Sequence, residues 1–170
     1  MVRKAKVVHA VGHLVFAAAY LGLVFLAIRF HNYADLLPLT CVGWAVLVVG
    51  LVFLLWSSKS RKQRQTSASG TEEAAVVEEG PYAIVRHPEF VGLMLIACGL
   101  VCMAQHWAAV ADGALIVLFL SLAAIEEEAR NLDKFGPPYA EYMRRVPRFD
   151  LVTGSIRAAR RRNQSKGNVG

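Results

Sequence analysis

Apolar residues fall along this chain in four long blocks, residues 7–28, 36–56, 90–103 and 107–125. These blocks hold almost no ionisable residues apart from His9 and His13 in the first and Asp112 in the last. A helix that crosses a bilayer needs about 20 consecutive apolar residues, with a range of roughly 17–25. The first, second and fourth blocks meet that length. The third approaches it only if the helix opens at Pro88 and runs through Ala104. The pattern therefore predicts an all-α integral membrane protein with four transmembrane helices. The first block is too long for the apolar core of a signal peptide, and no small-residue cleavage pattern separates it from the polar residues 30–35.

Helical signals continue beyond the fourth block. The pattern stays helical to Phe135 and stops at Gly136-Pro137-Pro138. Residues 139–145 then make a short amphipathic helix, with Tyr139, Tyr142 and Met143 on one side and Arg144 and Arg145 on the other. Residues 57–70 form a basic, then Ser-rich linker, flexible by composition. The acidic pairs Glu72-Glu73 and Glu78-Glu79 flank Ala74, Ala75, Val76 and Val77, too short a run for an element of its own. The tight turn 104–107 makes the third and fourth helices a hairpin, and Gly92 and Gly99, seven apart, allow close helix approach. One domain, residues 1–150, includes a cytoplasmic linker at 57–79 and a core at 74–149. Residues 151–170 read as a basic, disordered tail whose arginines touch lipid headgroups.

Composition agrees with the membrane reading: 55% of residues are hydrophobic and mean hydropathy is +0.40. The net charge of +6 would also suit a nucleic-acid binder, but its distribution argues against one. Of 19 Lys and Arg, only Arg29 falls in a segment placed outside. The positive-inside rule then puts both termini and the middle loop in the cytoplasm, which fits an even number of spans. Cys41, Cys98 and Cys102 lie inside predicted helices with neither a CxxC pair nor disulfide spacing. His9 and His13 share a helix face at i,i+4. That spacing can hold a metal, but no third ligand lies nearby, and hydrogen bonding between helices is the favoured reading.

Two polar clusters remain. Arg86, His87 and Glu89 stand at the start of the third helix, and Glu126, Glu127 and Glu128 at the end of the fourth. A hairpin brings these ends together at the lipid–water boundary, where polar groups are costly and commonly serve a function. With Tyr82 and Phe90 beside them, the clusters suit a polar cationic cofactor meeting a lipophilic substrate.

The stretch GPYAIVRHPEFVG, residues 80–92, resembles the GxYxxxRHPxYxG signature of the isoprenylcysteine carboxyl methyltransferase and phospholipid methyltransferase superfamily. EEEARNLDKFGPPYAEYMRRVPRF, residues 126–149, is similar to its C-terminal signature. Both lie in the order and spacing of the family, across about half the chain. The resemblance implies S-adenosylmethionine bound at the cytoplasmic membrane surface. It implies cofactor contacts from Ala74, Ala75, Val76, Val77, Tyr82, His87, Pro88 and Phe90, and from Glu127, the glutamate nine residues before Gly136. Bonding of the methionine carboxylate by His87 and Arg86 agrees with the exposed N–H groups of the following helix.

Glu89 and Arg86 are the candidate catalytic residues. Glu89 either takes a proton from an amine substrate or steadies the helix N-terminus. Arg86 either serves the site or anchors topology, and His87 either serves the site or caps its helix. Glu126 and Glu128 read as a solvated helix end. Ala123 stands where the isoprenylcysteine enzymes carry an arginine for the substrate carboxylate. An amine headgroup such as phosphatidylethanolamine is therefore the expected acceptor. An isoprenylcysteine carboxylate or a small lipophilic thiol is the alternative, and a non-catalytic lipid-binding module a further one.

Overall fold

A computed structural model describes the backbone of residues 2–68 and 78–167, with side chains for 12–62 and 78–164. Among the described residues every regular element is helical: α1 (Val2–Arg29), α2 (Leu37–Ala68), a 3-10 turn (Gly80–Ala83), α3 (Pro88–Ala104), α4 (Trp107–Phe135), α5 (Pro137–Arg145) and α6 (Leu151–Gly167). Three stretches are long and apolar enough to cross a membrane, Gly12–Arg29, Leu37–Lys62 and Trp107–Phe135. Their large apolar side chains point outward, as Leu14, Leu21 and Ile28 at 70% exposure or more illustrate. A helix that is apolar all round must find lipid or protein on every side. The fourth expected span, α3, is as apolar as the others, but its 17 residues reach only about 25 Å at ~1.5 Å per residue.

Two expectations about polar stretches are corrected. Residues 57–68 do not form a flexible linker but continue α2 to Ala68. This run contains no Gly or Pro, and Lys, Arg and Gln are good helix formers. Residues 151–167 are not a disordered tail but helix α6. Asp150 caps it, its carboxylate accepting from the N–H groups of Val152 at 3.1 Å and Thr153 at 3.0 Å.

The chain divides into two compact units. The first comprises residues 1–51 and 93–123. Its core holds Leu23, Ala27, Ala97, Leu100, Ile116 and Leu120. Helices α2 and α3 touch backbone to backbone: a Cβ on Gly43 would sit 2.8 Å from the Gly99 carbonyl oxygen, and the reverse holds equally. Such contact is how helices associate where lipid removes the hydrophobic drive between them. Gln105 ties the α3–α4 turn to the start of α2. Its amide nitrogen donates to Asn32 Oδ1, the Leu36 carbonyl and Thr40 Oγ1, at 2.8–3.0 Å, and its oxygen accepts from the Leu36 N–H at 3.1 Å.

The second unit comprises residues 52–92 and 124–170. Tyr139, Tyr142 and Val146 form its apolar centre, with Phe135 and Met143 packed against them. The Tyr142 hydroxyl donates to the Tyr82 carbonyl at 2.8 Å, and the Arg86 N–H donates to the Pro147 carbonyl at 2.9 Å. Helix α5 and the segment after it thus hold residues 82–86 in place.

Candidate functional site

The second unit contains every described residue of the expected site. Pro88 opens α3 in the first helical position, where its missing N–H costs nothing. Arg86 and His87 are consequently delivered on the extended segment before it. Both side chains are nearly buried, and both meet α4 at Glu128.

Glu128 is the centre of the arrangement. It is 3% exposed, shares hydrogen bonds with Arg148 and His87, and forms an ion pair with Arg86. Arg148 grips it with both arms, Nε to Oε1 at 2.9 Å and Nη2 to Oε2 at 2.6 Å. His87 Nε2 lies 3.0 Å from Oε1, and Arg86 Nη1 lies 3.4 Å from the same oxygen. A carboxylate held by two guanidinium groups stays ionised and can only accept, so His87 carries its proton on Nε2. Its Nδ1 is then a free lone pair, 3.9 Å from Glu127 Oε2. Burial pushes the imidazole below its ordinary pKa, against the opposing pull of Glu127 and Glu128. His87 is therefore neutral at pH 7, its ring stacked on Phe90 at 5.3 Å between centroids.

Arg86 is not fully used. Its Nε and Nη1 are buried and meet no hydrogen-bond acceptor among the described residues. Buried guanidinium donors without acceptors are expensive, and they mark a place where an anionic group would be held.

A second cluster joins α2, the 3-10 turn and α3. Arg61 forms an ion pair with Glu89 and donates to the Tyr82 hydroxyl at 3.4 Å. Burial raises the Tyr82 pKa, and the bond from Arg61 acts the other way.

The expectation that Glu128 is a solvated helix end is thus wrong. It is Glu128 that is buried, while Glu127, chosen for the cofactor, keeps its side chain 37% exposed. The signal was present in the spacing. Ile116, Leu120, Ala124 and Glu128 fall four apart and are all buried, so the carboxylate ends a core-facing row. Arg148, in the VPRF motif, was passed over as an acceptor's partner because nothing in a sequence shows which glutamate it reaches. Arg61 carried no signal beyond its basic neighbours. Ala74, Ala75, Val76 and Val77 lie outside the described residues, as does the side chain of His9.

Residues 39–135 match the phospholipid methyltransferase family. The chain belongs to that family. The match takes in Arg86, His87, Glu89 and Glu128 and ends before Arg148. The chain is also similar to the cobalt-zinc-cadmium resistance protein CzcN of Cupriavidus metallidurans, 33% identical over 110 residues, which cover 65% of this chain and 51% of that protein. The nickel-cobalt-cadmium resistance protein NccN of Alcaligenes xylosoxydans xylosoxydans is 29% identical over 110 residues, covering 65% of this chain and 52% of its own. The chain thus spans about half the length of these curated relatives. No solved structure matches it. Family membership and the apolar helices together identify an integral membrane protein of methyltransferase type. Among the described residues no group of three or more His, Cys, Asp or Glu side chains is placed to hold a metal ion.

Proposed function

We propose that this protein transfers a methyl group from S-adenosylmethionine to a lipophilic acceptor at the cytoplasmic membrane surface, and that the acceptor is an amine headgroup such as phosphatidylethanolamine. The observation that carries the reading is the pair of unsatisfied buried donors on Arg86, next to the free Nδ1 of His87, within the matched region. These groups fit the cofactor: the arginine supplies donors for the methionine carboxylate. Glu127, half exposed beside them, suits the amino group or the ribose hydroxyls. Tyr82, Pro88 and Phe90 wall the same place, and Ala74, Ala75, Val76 and Val77 are proposed to close over it.

The cofactor supplies an electrophilic methyl group on a sulfonium. The protein's part is to hold the two reactants aligned and to exclude water, which accounts for much of the rate of an in-line displacement. Clamping by Arg148 and Glu128 fixes His87 and Arg86 before any ligand arrives, so their ordering is not charged to binding. Glu89, kept near Tyr82 by Arg61, is positioned to accept the proton that an ammonium headgroup must lose before its nitrogen attacks. A substrate carboxylate is disfavoured by Ala123, which offers it no donor. A second reading keeps the cofactor site and takes another lipophilic acceptor, such as a small thiol, since the similar proteins are named for metal resistance and not for a phospholipid.

Incubation of the membrane-embedded protein with labelled S-adenosylmethionine and a total lipid extract tests the proposal. Mass analysis is expected to find an N-methylated lipid. An O-methyl or S-methyl product would overturn the amine acceptor alone. If calorimetry finds no binding of S-adenosylmethionine, and His87→Ala with Glu127→Ala changes nothing, the catalytic reading falls and a lipid-binding module remains.

A further inference from the structure

Helix α6 plays no part in the reaction proposed above, yet its two faces are sharply different. One face is fixed to the second unit. Arg161 donates from Nη1 to the Arg145 carbonyl at 3.1 Å and from Nη2 to the Ala83 carbonyl at 2.7 Å. Two turns earlier along the same face, Gly154 lies so close to Ile84 that a Cβ would collide with its carbonyl oxygen. The Asp150 cap fixes where the helix begins. The roll of α6 about its own axis is therefore determined.

At 3.6 residues per turn, Val152, Ile156 and Ala159 line up opposite Gly154 and Arg161. Val152 is 72% exposed and Ile156 49%. Arg160 and Arg162, both exposed, flank this apolar line, and Arg157 lies nearer the docked face. The helix contains four arginines and a lysine and no acidic residue. An aliphatic line edged with arginines is how a helix lies in a membrane interface: the aliphatics enter the acyl boundary while the guanidinium groups reach phosphates.

We propose that α6 is a surface anchor that lies in the plane of an anionic leaflet, with Val152 and Ile156 inserted and Arg160 on anionic headgroups. This is independent of the methyl-transfer reading. Two other occupants fit less well. A nucleic acid would engage the arginines and leave Val152 and Ile156 uncovered. A second copy meeting the same face across a two-fold axis would set arginine against arginine. An integral membrane protein always has a bilayer surface at hand, and anionic lipid attracts each basic side chain near it.

The test uses the full chain with its native cysteines replaced by alanine and a single environment-sensitive fluorophore on Ile156→Cys. The protein is placed in lipid nanodiscs of phosphatidylcholine alone or mixed with phosphatidylserine. In the anionic discs, emission is expected to shift to the blue and to be quenched by brominated acyl chains. Arg160→Gln should weaken that docking about fivefold. Equal spectra in the two discs would overturn the proposal. So would a shift in detergent that grows with protein concentration, which would indicate a second copy, or a shift in detergent that requires added RNA. If the cysteine-free chain does not fold, hydrogen exchange on the native chain decides the matter. Slower exchange over 151–164 in the anionic discs supports the anchor, and equal exchange refutes it.

Discussion

Two polar knots hold this molecule's helices, one in each unit, and they are built on different principles. The Gln105 knot has a neutral centre and is closed. Its amide oxygen and nitrogen are both engaged, Thr40 donates on to Asn32 Oδ1 at 3.0 Å, and Asn32 donates to Asp35 at 3.1 Å. The Glu128 knot is charged and open. One carboxylate gathers two arginines and a histidine, and Arg86 is left with buried donors to spare. A neutral knot that uses every donor it buries can serve only to hold helices. A charged knot with a surplus has capacity for a ligand. The difference is legible in free-energy terms: buried ion pairs give little net stability compared with apolar packing, so a protein that keeps one has another use for it or needs its specificity.

Deleting each centre gives the largest effects. Glu128→Ala removes the hydrogen-bond partner of Arg148 and His87 and the counter-charge of the nearly buried Arg86. We expect a loss of about 3–5 kcal/mol in denaturant unfolding of the detergent-solubilised protein. Loss of S-adenosylmethionine binding should accompany it. If that variant is as stable as the parent, the Glu128 contacts are not formed in solution and the contrast between the knots collapses.

Arg86→Gln separates holding from binding. Arg148 still neutralises Glu128, so stability should change little. Binding of S-adenosylmethionine should weaken by roughly 10–150-fold, the ratio for a charged hydrogen bond of about 1.5–3 kcal/mol. Gln105→Ala is its mirror image. It removes the acceptor of the Leu36 N–H and the donor to Thr40, whose hydroxyl keeps Asn32, and should cost about 0.5–1.5 kcal/mol of stability, with cofactor binding unchanged. Calorimetry and unfolding on the two variants thus form a crossed design. A binding defect in Gln105→Ala, or a folding defect alone in Arg86→Gln, would show that the roles are misassigned.

How much of this could be read beforehand depends on the type of signal. The helices were legible because membrane helices are specified by composition over some 20 residues, a long average that tolerates local noise. The helical state of 57–68 is not, because a basic, Ser-rich run has the composition of a linker although nothing in it breaks a helix. Helix α6 was hidden in the same way by its arginines. The signature residues Arg86, His87 and Glu89 were found because they sit together in sequence and differ from the apolar block after them. Glu128 was lost among three adjacent glutamates, where type says nothing and only phase along α4 decides. Long-range partners such as Arg61 and Arg148 have no local mark, since their contacts span 28 and 20 residues.

His87 sharpens the comparison through pH. Its folded pKa lies below the unfolded value, so the unfolded chain takes up the proton first as the medium is acidified. The stability contribution of neutral His87 is complete above about pH 6.5. It is lost as the pH falls toward the folded pKa. We expect Tm to fall in that window and His87→Gln, which keeps a donor without titrating, to flatten the change. The partners of Gln105 itself, Asn32, Leu36 and Thr40, have no titrating side chain, so Gln105→Ala should leave the pH profile parallel to that of the parent.

The smallest effect is expected at Arg61 and Glu89, whose side chains are 48% and 20% exposed. They share a charge pair, as Arg148 and Glu128 do, but water reaches Glu89 where it does not reach Glu128. Pairs of that kind are worth about 0–1 kcal/mol because solvent screens them and two long side chains must be ordered. A double-mutant cycle of Arg61→Gln and Glu89→Gln should therefore give a coupling within that range. If it does, the pair is cheap to open, and Glu89 can leave Arg61 when an ammonium headgroup arrives. A coupling of about 3 kcal/mol, typical of groups locked in one network, would make Arg61–Glu89 a second fixed knot. Glu89 would then be held for structure, the amine reading would lose its base, and only the Arg86 and His87 side would remain for chemistry.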